Sequence, residues 1–150
     1  MPNVTDWVSA VSTVATACGV FFAYKQLRIA KEIAQLQFED GLAREYRDLA
    51  SKLPTQALLG GELLEPEYIK AFDELFHYID LSNEQVSLRQ RGRISAEVWT
   101  NWCLGIEANL ALPAFNRAWL EIQAKCKSFQ ELRRLESEHF AVDPTSWKGV

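Results

Sequence analysis

The sequence predicts an all-α protein in which an N-terminal transmembrane helix, extended by a stalk helix, precedes a cytoplasmic helical bundle. Three observations lead to this fold class. Residues 7–24 carry no charge, and apolar residues recur at helical spacing through most of the remaining chain. Only 7 glycines and 5 prolines interrupt these patterns. No long stretch alternates between apolar and polar residues as a half-buried strand would.

The uncharged run from Trp7 to Tyr24 has the length of a membrane span. As a helix it would rise about 27 Å, close to the roughly 30 Å thickness of a hydrocarbon core. Trp7 and Tyr24 bracket the run as aromatic residues do at membrane interfaces. No Lys or Arg precedes it, which argues against a cleaved signal peptide. A buried soluble helix is the alternative, because the run contains several Ser and Thr residues and no Leu or Ile.

Basic residues follow the run, and none precedes it. Lys25, Arg28 and Lys31 come directly after Tyr24. Cations concentrate on the cytoplasmic side of membrane proteins, so we expect the N-terminus outside and the bulk of the chain in the cytoplasm. At the membrane interface the same three cations can contact anionic headgroups.

One face of the predicted span is polar. Ser9, Ser12, Thr13 and Thr16 recur at steps of three and four residues and therefore share a helical face. In lipid, small and hydroxylated side chains let helices approach closely and form hydrogen bonds. The face is interpreted either as a self-association surface or as the lining of a polar channel within a ring of copies. Both interpretations require a homo-oligomer.

Prolines and a serine mark the ends of the later elements. Pro54 ends the stalk, and Pro66 suits the first turn of the next helix. Ser95 is a candidate cap for another helix, and Pro113 separates it from the one that follows. The predicted boundaries are an external tail over 1–6, a transmembrane helix over 7–24, a stalk helix over 25–53, a connector over 54–65, a helical bundle over 66–141 and a tail over 142–150.

Charge and cysteine usage limit the functional classes. The chain has 16 Lys and Arg against 20 Asp and Glu, a net charge of −4, which does not favour a nucleic-acid-binding surface. The cysteines Cys18, Cys103 and Cys126 are far apart, and no C-x-x-C or Cys/His cluster occurs. This spacing argues against a zinc site. We therefore predict no metal and no cofactor.

Two groups of residues are candidates for chemistry. The first is the R-x4-H pair Arg134 and His139, since histidine can transfer protons near neutral pH and arginine can stabilise a phosphorane. His139 also shares a stripe with Leu132 and Leu135, which favours a packed histidine instead. The second group is Arg89, Arg91 and Arg93, which could contact phosphate, RNA or lipid headgroups. Cations at a helix C-terminus, with a capping glycine between them, are the favoured explanation.

Several segments carry a resemblance to known proteins, namely Trp7–Gln37, 76–81, 91–95 with Trp99, and Trp119 with Phe129. In these segments and in the order of its parts, the chain resembles a broad group of small bacterial membrane proteins of unknown function, with one span, a stalk and a helical domain. More distantly, it is similar to the HEPN-like transmembrane accessory proteins of type VI-B CRISPR systems, which assemble into membrane pores in antiviral defence. These resemblances imply a bacterial inner-membrane location, pore-lining roles for Ser9, Ser12, Thr13 and Thr16, and a ribonuclease-type pair in Arg134 and His139.

The sequence favours a non-enzymatic function. We expect a membrane-anchored, self-assembling accessory or effector that forms a membrane pore in phage defence, with the lipid bilayer and further copies of the chain as partners. One alternative is a membrane-tethered ribonuclease that uses Arg134 and His139, and only this alternative makes RNA a partner. Another is a non-catalytic scaffold that recruits a cytoplasmic protein.

Overall fold

The computed structural model describes the backbone of residues 4–147 and the side chains of residues 18–147. Within this range the protein contains helices and no strand, which confirms the all-α prediction. The chain divides into two compact units, one ending at Phe38 and the other beginning at Glu39. The helices are α1 (Val4–Lys52), α2 (Thr55–Leu58), α3 (Glu65–Gln90), α4 (Ala96–Leu110), α5 (Pro113–Lys125) and α6 (Gln130–Ser137), with a 3-10 turn at Pro144–Ser146.

The predicted transmembrane and stalk segments belong to one continuous helix, α1. As far as the structure describes the helices, none combines the length and the apolar character that crossing a membrane requires. The predicted span Trp7–Tyr24 lies mostly on residues whose side chains are outside the described set. The helix ends at Lys52, two residues before Pro54, in keeping with the backbone restriction that a proline imposes on its predecessor.

The core of the second unit is built around α3. This helix packs against α5, α6 and the 3-10 turn. Leu75, Ile79 and Val86 on α3 are fully buried, and so are Phe115 and Trp119 on α5. Burying each of these side chains contributes roughly 1.5–3 kcal/mol or more. On the same helix Phe76 remains exposed, whereas the adjacent Leu75 is among the buried residues.

The C-terminal part of α1 belongs to the same core. Leu42 and Leu53 are buried, and Leu49 packs against them. Glu39 is also buried, and its carboxylate accepts a hydrogen bond of 2.6 Å from the backbone N–H of Ser95. That N–H lies at the start of α4, where a helix leaves donors unsatisfied and favours negative charge.

The predicted signals at the helix ends are present. The Ser95 hydroxyl accepts a hydrogen bond from the Val98 N–H and caps α4. Gly92 has a φ of 68°, the left-handed conformation predicted for it. Its N–H donates to the Arg89 carbonyl, while the Arg93 N–H donates to the Leu88 carbonyl. These two bonds define a Schellman motif, which satisfies carbonyls at the end of α3.

The C-terminal segment that the sequence treats as a tail begins with a packed portion. Asp143 caps the 3-10 turn by accepting a hydrogen bond from the Thr145 N–H. Pro144 and Trp147 are buried, and the Trp147 indole N–H donates to Glu138 at 2.7 Å. Residues 143–147 therefore form part of the second unit's core.

Candidate functional site

The described part of α1 before Glu39 presents many exposed apolar side chains. Their exposed fractions range from 49% at Ile33 to 72% at Leu27. Apolar side chains exposed singly are common on protein surfaces, whereas groups of large ones mark contacts with proteins or membranes. We call this set the α1 apolar surface; it consists of Val20, Phe21, Phe22, Tyr24, Leu27, Ile29, Ile33 and Leu36.

Four members of the α1 apolar surface share one side of the helix. Ile29, Ile33 and Leu36 follow Phe22 at steps of seven, four and three residues. This is the spacing of a coiled-coil seam, in which apolar residues of one helix insert between those of another. We call these four residues the α1 seam. Leu27 and Ala34 lie on the opposite side of the helix, as their spacing relative to the seam requires.

The predicted membrane-interface residues are accessible where the structure describes them. Tyr24 is 65% exposed, and Lys25, Arg28 and Lys31 are exposed on the following turns. Arg28 donates to Glu32 at 3.2 Å, but both side chains are largely exposed, so this pair contributes less than about 1 kcal/mol. The remaining residues of the predicted interface and pore face lie outside the described side chains, namely Trp7, Ser9, Ser12, Thr13 and Thr16.

Arg89 differs from the two arginines with which it was grouped. Its guanidinium makes a bidentate contact with Asp143, from Nε to Oδ1 at 3.0 Å and from Nη2 to Oδ2 at 2.6 Å. Its Nη1 donates to the Ile94 carbonyl at 2.7 Å. Arg89 is 9% exposed, so it joins the end of α3 to the packed C-terminal segment. Only Arg91 and Arg93 are exposed to a potential anion.

Arg134 and His139 do not lie on one helix. The helix α6 ends at Ser137, and His139 follows it with a φ of 54°. The Arg134 Nε donates to Glu138 at 3.1 Å, and its guanidinium lies 4.5 Å from the centre of the Trp147 ring. The expectation of a packed His139 was wrong, because the helical stripe on which it rested stops before this residue. His139 is exposed.

Backbone hydrogen bonds end α6 before His139 and set the conformation of this residue. Its N–H donates to the Glu136 carbonyl, and the Phe140 N–H donates to the Leu135 carbonyl. These bonds form a Schellman motif in which His139 occupies the left-handed position that glycine usually takes. A side chain in this conformation is strained by roughly 1–2 kcal/mol.

We therefore expect His139→Gly to be more stable than the unchanged chain. Its free energy of unfolding, measured by urea denaturation, should be higher by about 0.5–1 kcal/mol. Ser137→Gly is the matched control. Ser137 is exposed and helical, so glycine should lower stability there by roughly 0.5–1 kcal/mol. A loss of stability in His139→Gly would contradict the assigned strain and indicate a stabilising contact of the imidazole.

The structure also contains a cavity that sequence reasoning missed. It lies in the second unit and is lined by residues of α1, α3 and α4, including Tyr46, Tyr78, Gln85 and Trp102. Each of these residues fits an amphipathic helix pattern and is indistinguishable in sequence from ordinary core or surface. A glutamine on the buried side of α3 was the one available signal, because buried amides require partners.

Among the residues that the structure describes, no group of three His, Cys, Asp or Glu side chains is placed to hold a metal ion. Comparison of the chain with protein-family models, with characterised proteins and with solved structures found no match. The resemblance to membrane accessory proteins therefore stays a prediction, and functional argument depends on the geometry of this chain.

Proposed function

We propose that this protein is a membrane-anchored, self-assembling accessory or effector. The N-terminal part of α1 enters the lipid, the α1 seam packs against the seam of further copies, and the second unit lies in the cytoplasm. The observation that supports this proposal best is the α1 apolar surface, whose eight large side chains are each about half or more exposed.

Removing the α1 apolar surface from water, by contact with another helix or with lipid, would be energetically favourable. A side chain of this size gains roughly 1 kcal/mol or more when half of its surface is removed from water. The four residues of the α1 seam would then contribute several kcal/mol for each helix. An isolated helix gains little from its own hydrogen bonds in water, so most of its stability comes from packing of an apolar face. Association between copies supplies such packing.

The charges that follow the predicted span favour the membrane. Lys25, Arg28 and Lys31 are exposed within two turns of one another. Each cation near an anionic bilayer surface contributes about 1 kcal/mol. With the N-terminus outside, these side chains would lie at the cytoplasmic headgroups, directly after Tyr24. In a ring of copies, the predicted polar face would surround a conduit; its use in phage defence rests on the resemblance alone.

Self-assembly is tested by two charge-matched double variants of the full chain in mild detergent. We expect the original chain to be oligomeric by light scattering. Ile29→Lys/Ile33→Lys should weaken association at least about 100-fold, because it places charges in an apolar seam. Leu27→Lys/Ala34→Lys adds the same charge on the opposite side and should leave the oligomer intact. A monomeric original chain, confirmed by cross-linking in native membranes, would exclude self-assembly.

Membrane insertion and conduction are tested separately. The original chain should float with vesicles that contain anionic lipid, resist extraction by high salt and release an encapsulated dye. Ser12→Leu/Thr16→Leu should still float but release no dye, because it removes hydroxyl groups from the predicted conduit. Dye release at the original rate would refute the conduit and leave the anchor in place. The ribonuclease interpretation requires His139→Ala to abolish RNA cleavage. The described contacts of Arg134, with Glu138 and Trp147, do not favour it.

A further inference from the structure

A cavity of about 340 Å³ lies in the second unit. Its walls come from the C-terminal part of α1, from α3 and from α4, and they include the aromatic residues Tyr46, Tyr78 and Trp102. Pockets for small molecules begin near this volume. The space suits one ring-bearing molecule and is too small for a nucleic-acid strand or a folded partner.

Gln85 provides the clearest sign of a ligand. It is 6% exposed, it lines the cavity, and within the described residues its amide group has no hydrogen-bond partner. No fully buried side-chain nitrogen or oxygen among the described residues lacks a hydrogen-bond partner, so the Gln85 amide is open to solvent through the cavity. The amide presents both a donor and an acceptor to the cavity. Its requirements match a ligand edge that offers an acceptor and a donor side by side, as nucleobases do.

Tyr78, on the same helix as Gln85, supplies a second polar group to the cavity. The Asn109 Nδ2 donates to the Tyr78 Oη at 2.9 Å. Burial raises the pKa of Tyr78 to about 12, so its hydroxyl keeps its proton at neutral pH. The Ser82 side chain is a second hydrogen-bond partner of this hydroxyl. The Tyr78 ring is held in place by edge contacts with Tyr46 at 6.0 Å and with Phe115 at 4.9 Å.

The cavity contains one charged side chain, Arg47, and no carboxylate. Arg47 is exposed at the mouth and has no ion-pair partner within the described part of the chain. A guanidinium binds phosphate with two parallel hydrogen bonds. The electrostatics of the mouth therefore favour an anion, whereas the interior favours a planar, hydrogen-bonding ring.

We propose that this cavity binds a small anionic heteroaromatic molecule of the nucleoside monophosphate class. The ring lies against Tyr46 and Trp102, the Gln85 amide pairs with its edge, and Arg47 binds the phosphate. Aromatic side chains stack on nucleobases of every kind, and amide side chains discriminate between their edges. This site is independent of the proposed membrane function, because its residues all belong to the second unit.

The test uses the full chain in detergent and isothermal titration calorimetry with AMP, GMP, CMP and UMP, each alone. We expect at least one of the four to bind with a stoichiometry of one per chain. Arg47→Gln should weaken binding of that nucleotide at least 10-fold and leave binding of the corresponding nucleoside unchanged. Arg44→Gln removes an exposed charge from the preceding turn of α1 and should change neither affinity.

Gln85→Met separates a ligand role from a structural one. It retains the volume of the side chain but removes the amide, so we expect binding to fall at least 10-fold while the melting temperature stays equal or rises. A lower melting temperature would show that the amide stabilises the fold, and would overturn the proposal. Failure of all four nucleotides to bind at millimolar concentration, or unchanged affinity in Arg47→Gln, would overturn it as well.

Discussion

Replacing Arg89 with methionine is expected to lower the free energy of unfolding by about 2–3 kcal/mol. Methionine retains much of the buried stem but removes all three hydrogen-bonding nitrogens. The Ile94 carbonyl then loses its donor, and Asp143 loses its bidentate partner. The loss lies below the usual range for a broken buried pair because the Asp143 side chain is 41% exposed and can recover hydration. Urea denaturation monitored by circular dichroism measures the change.

Three further variants test whether the loss of stability comes from the Arg89–Asp143 ion pair or from the removal of any arginine. Asp143→Asn should also destabilise, since it leaves the Arg89 charge, whose side chain is only 11% exposed, without a compensating anion. The double variant should lose less than the sum of the two single losses, because both remove the same contact. Arg91→Met, at the exposed end of the same helix, should stay within about 0.5 kcal/mol. An equal loss in Arg91→Met would contradict the assignment.

The same pair predicts an acid dependence. The hydrogen bonds from Arg89 lower the pKa of Asp143 to about 2 from its ordinary value of 3.8, so the folded state favours the ionised carboxylate. The stabilisation is complete above about pH 4 and is lost as the pH falls from about 4 to about 2. In Arg89→Met this part of the stability curve should flatten. A curve of unchanged slope would show that other carboxylates govern the acid response.

Truncating Trp119 to alanine is expected to lower the free energy of unfolding by about 3–5 kcal/mol. The side chain is fully buried, and its ring packs edge-on against Phe129 at 6.2 Å. Its indole N–H donates to Glu136 at 2.9 Å, so truncation leaves both a cavity and a carboxylate with one fewer donor. Because Glu136 also accepts from Gln123, α5 and α6 should loosen together.

The neighbouring residue provides a control for Trp119. Leu120 lies on the same helix and is 56% exposed, so Leu120→Ala should change stability by less than about 0.5 kcal/mol. Trp119→Phe keeps most of the apolar volume and should lose less than Trp119→Ala. A near-neutral Trp119→Ala would mean that α6 does not pack on α5 as the structure has it. Native-state hydrogen exchange should show the lost protection concentrated in α5 and α6.

Local features were predictable from the sequence because they depend on residues that are near one another in the chain. The proline before α2, the Ser95 cap and the left-handed Gly92 follow from backbone sterics and from side chains that reach their own helix. The exposed apolar surface of α1 is likewise a matter of composition and helical spacing. Function in the membrane was inferred from the same local pattern, and it stays a prediction.

The sequence by itself determined the helical fold class and several helix boundaries, because helix periodicity and caps involve residues a few positions apart. Only the tertiary structure decided the use of Arg89, the position of His139 and the existence of the cavity. Arg89 meets Asp143 across 54 residues of chain, and the Gln85 cavity needs walls from three helices. Such contacts depend on how helices pack, and no local spacing encodes which distant carboxylate or ring a side chain will meet.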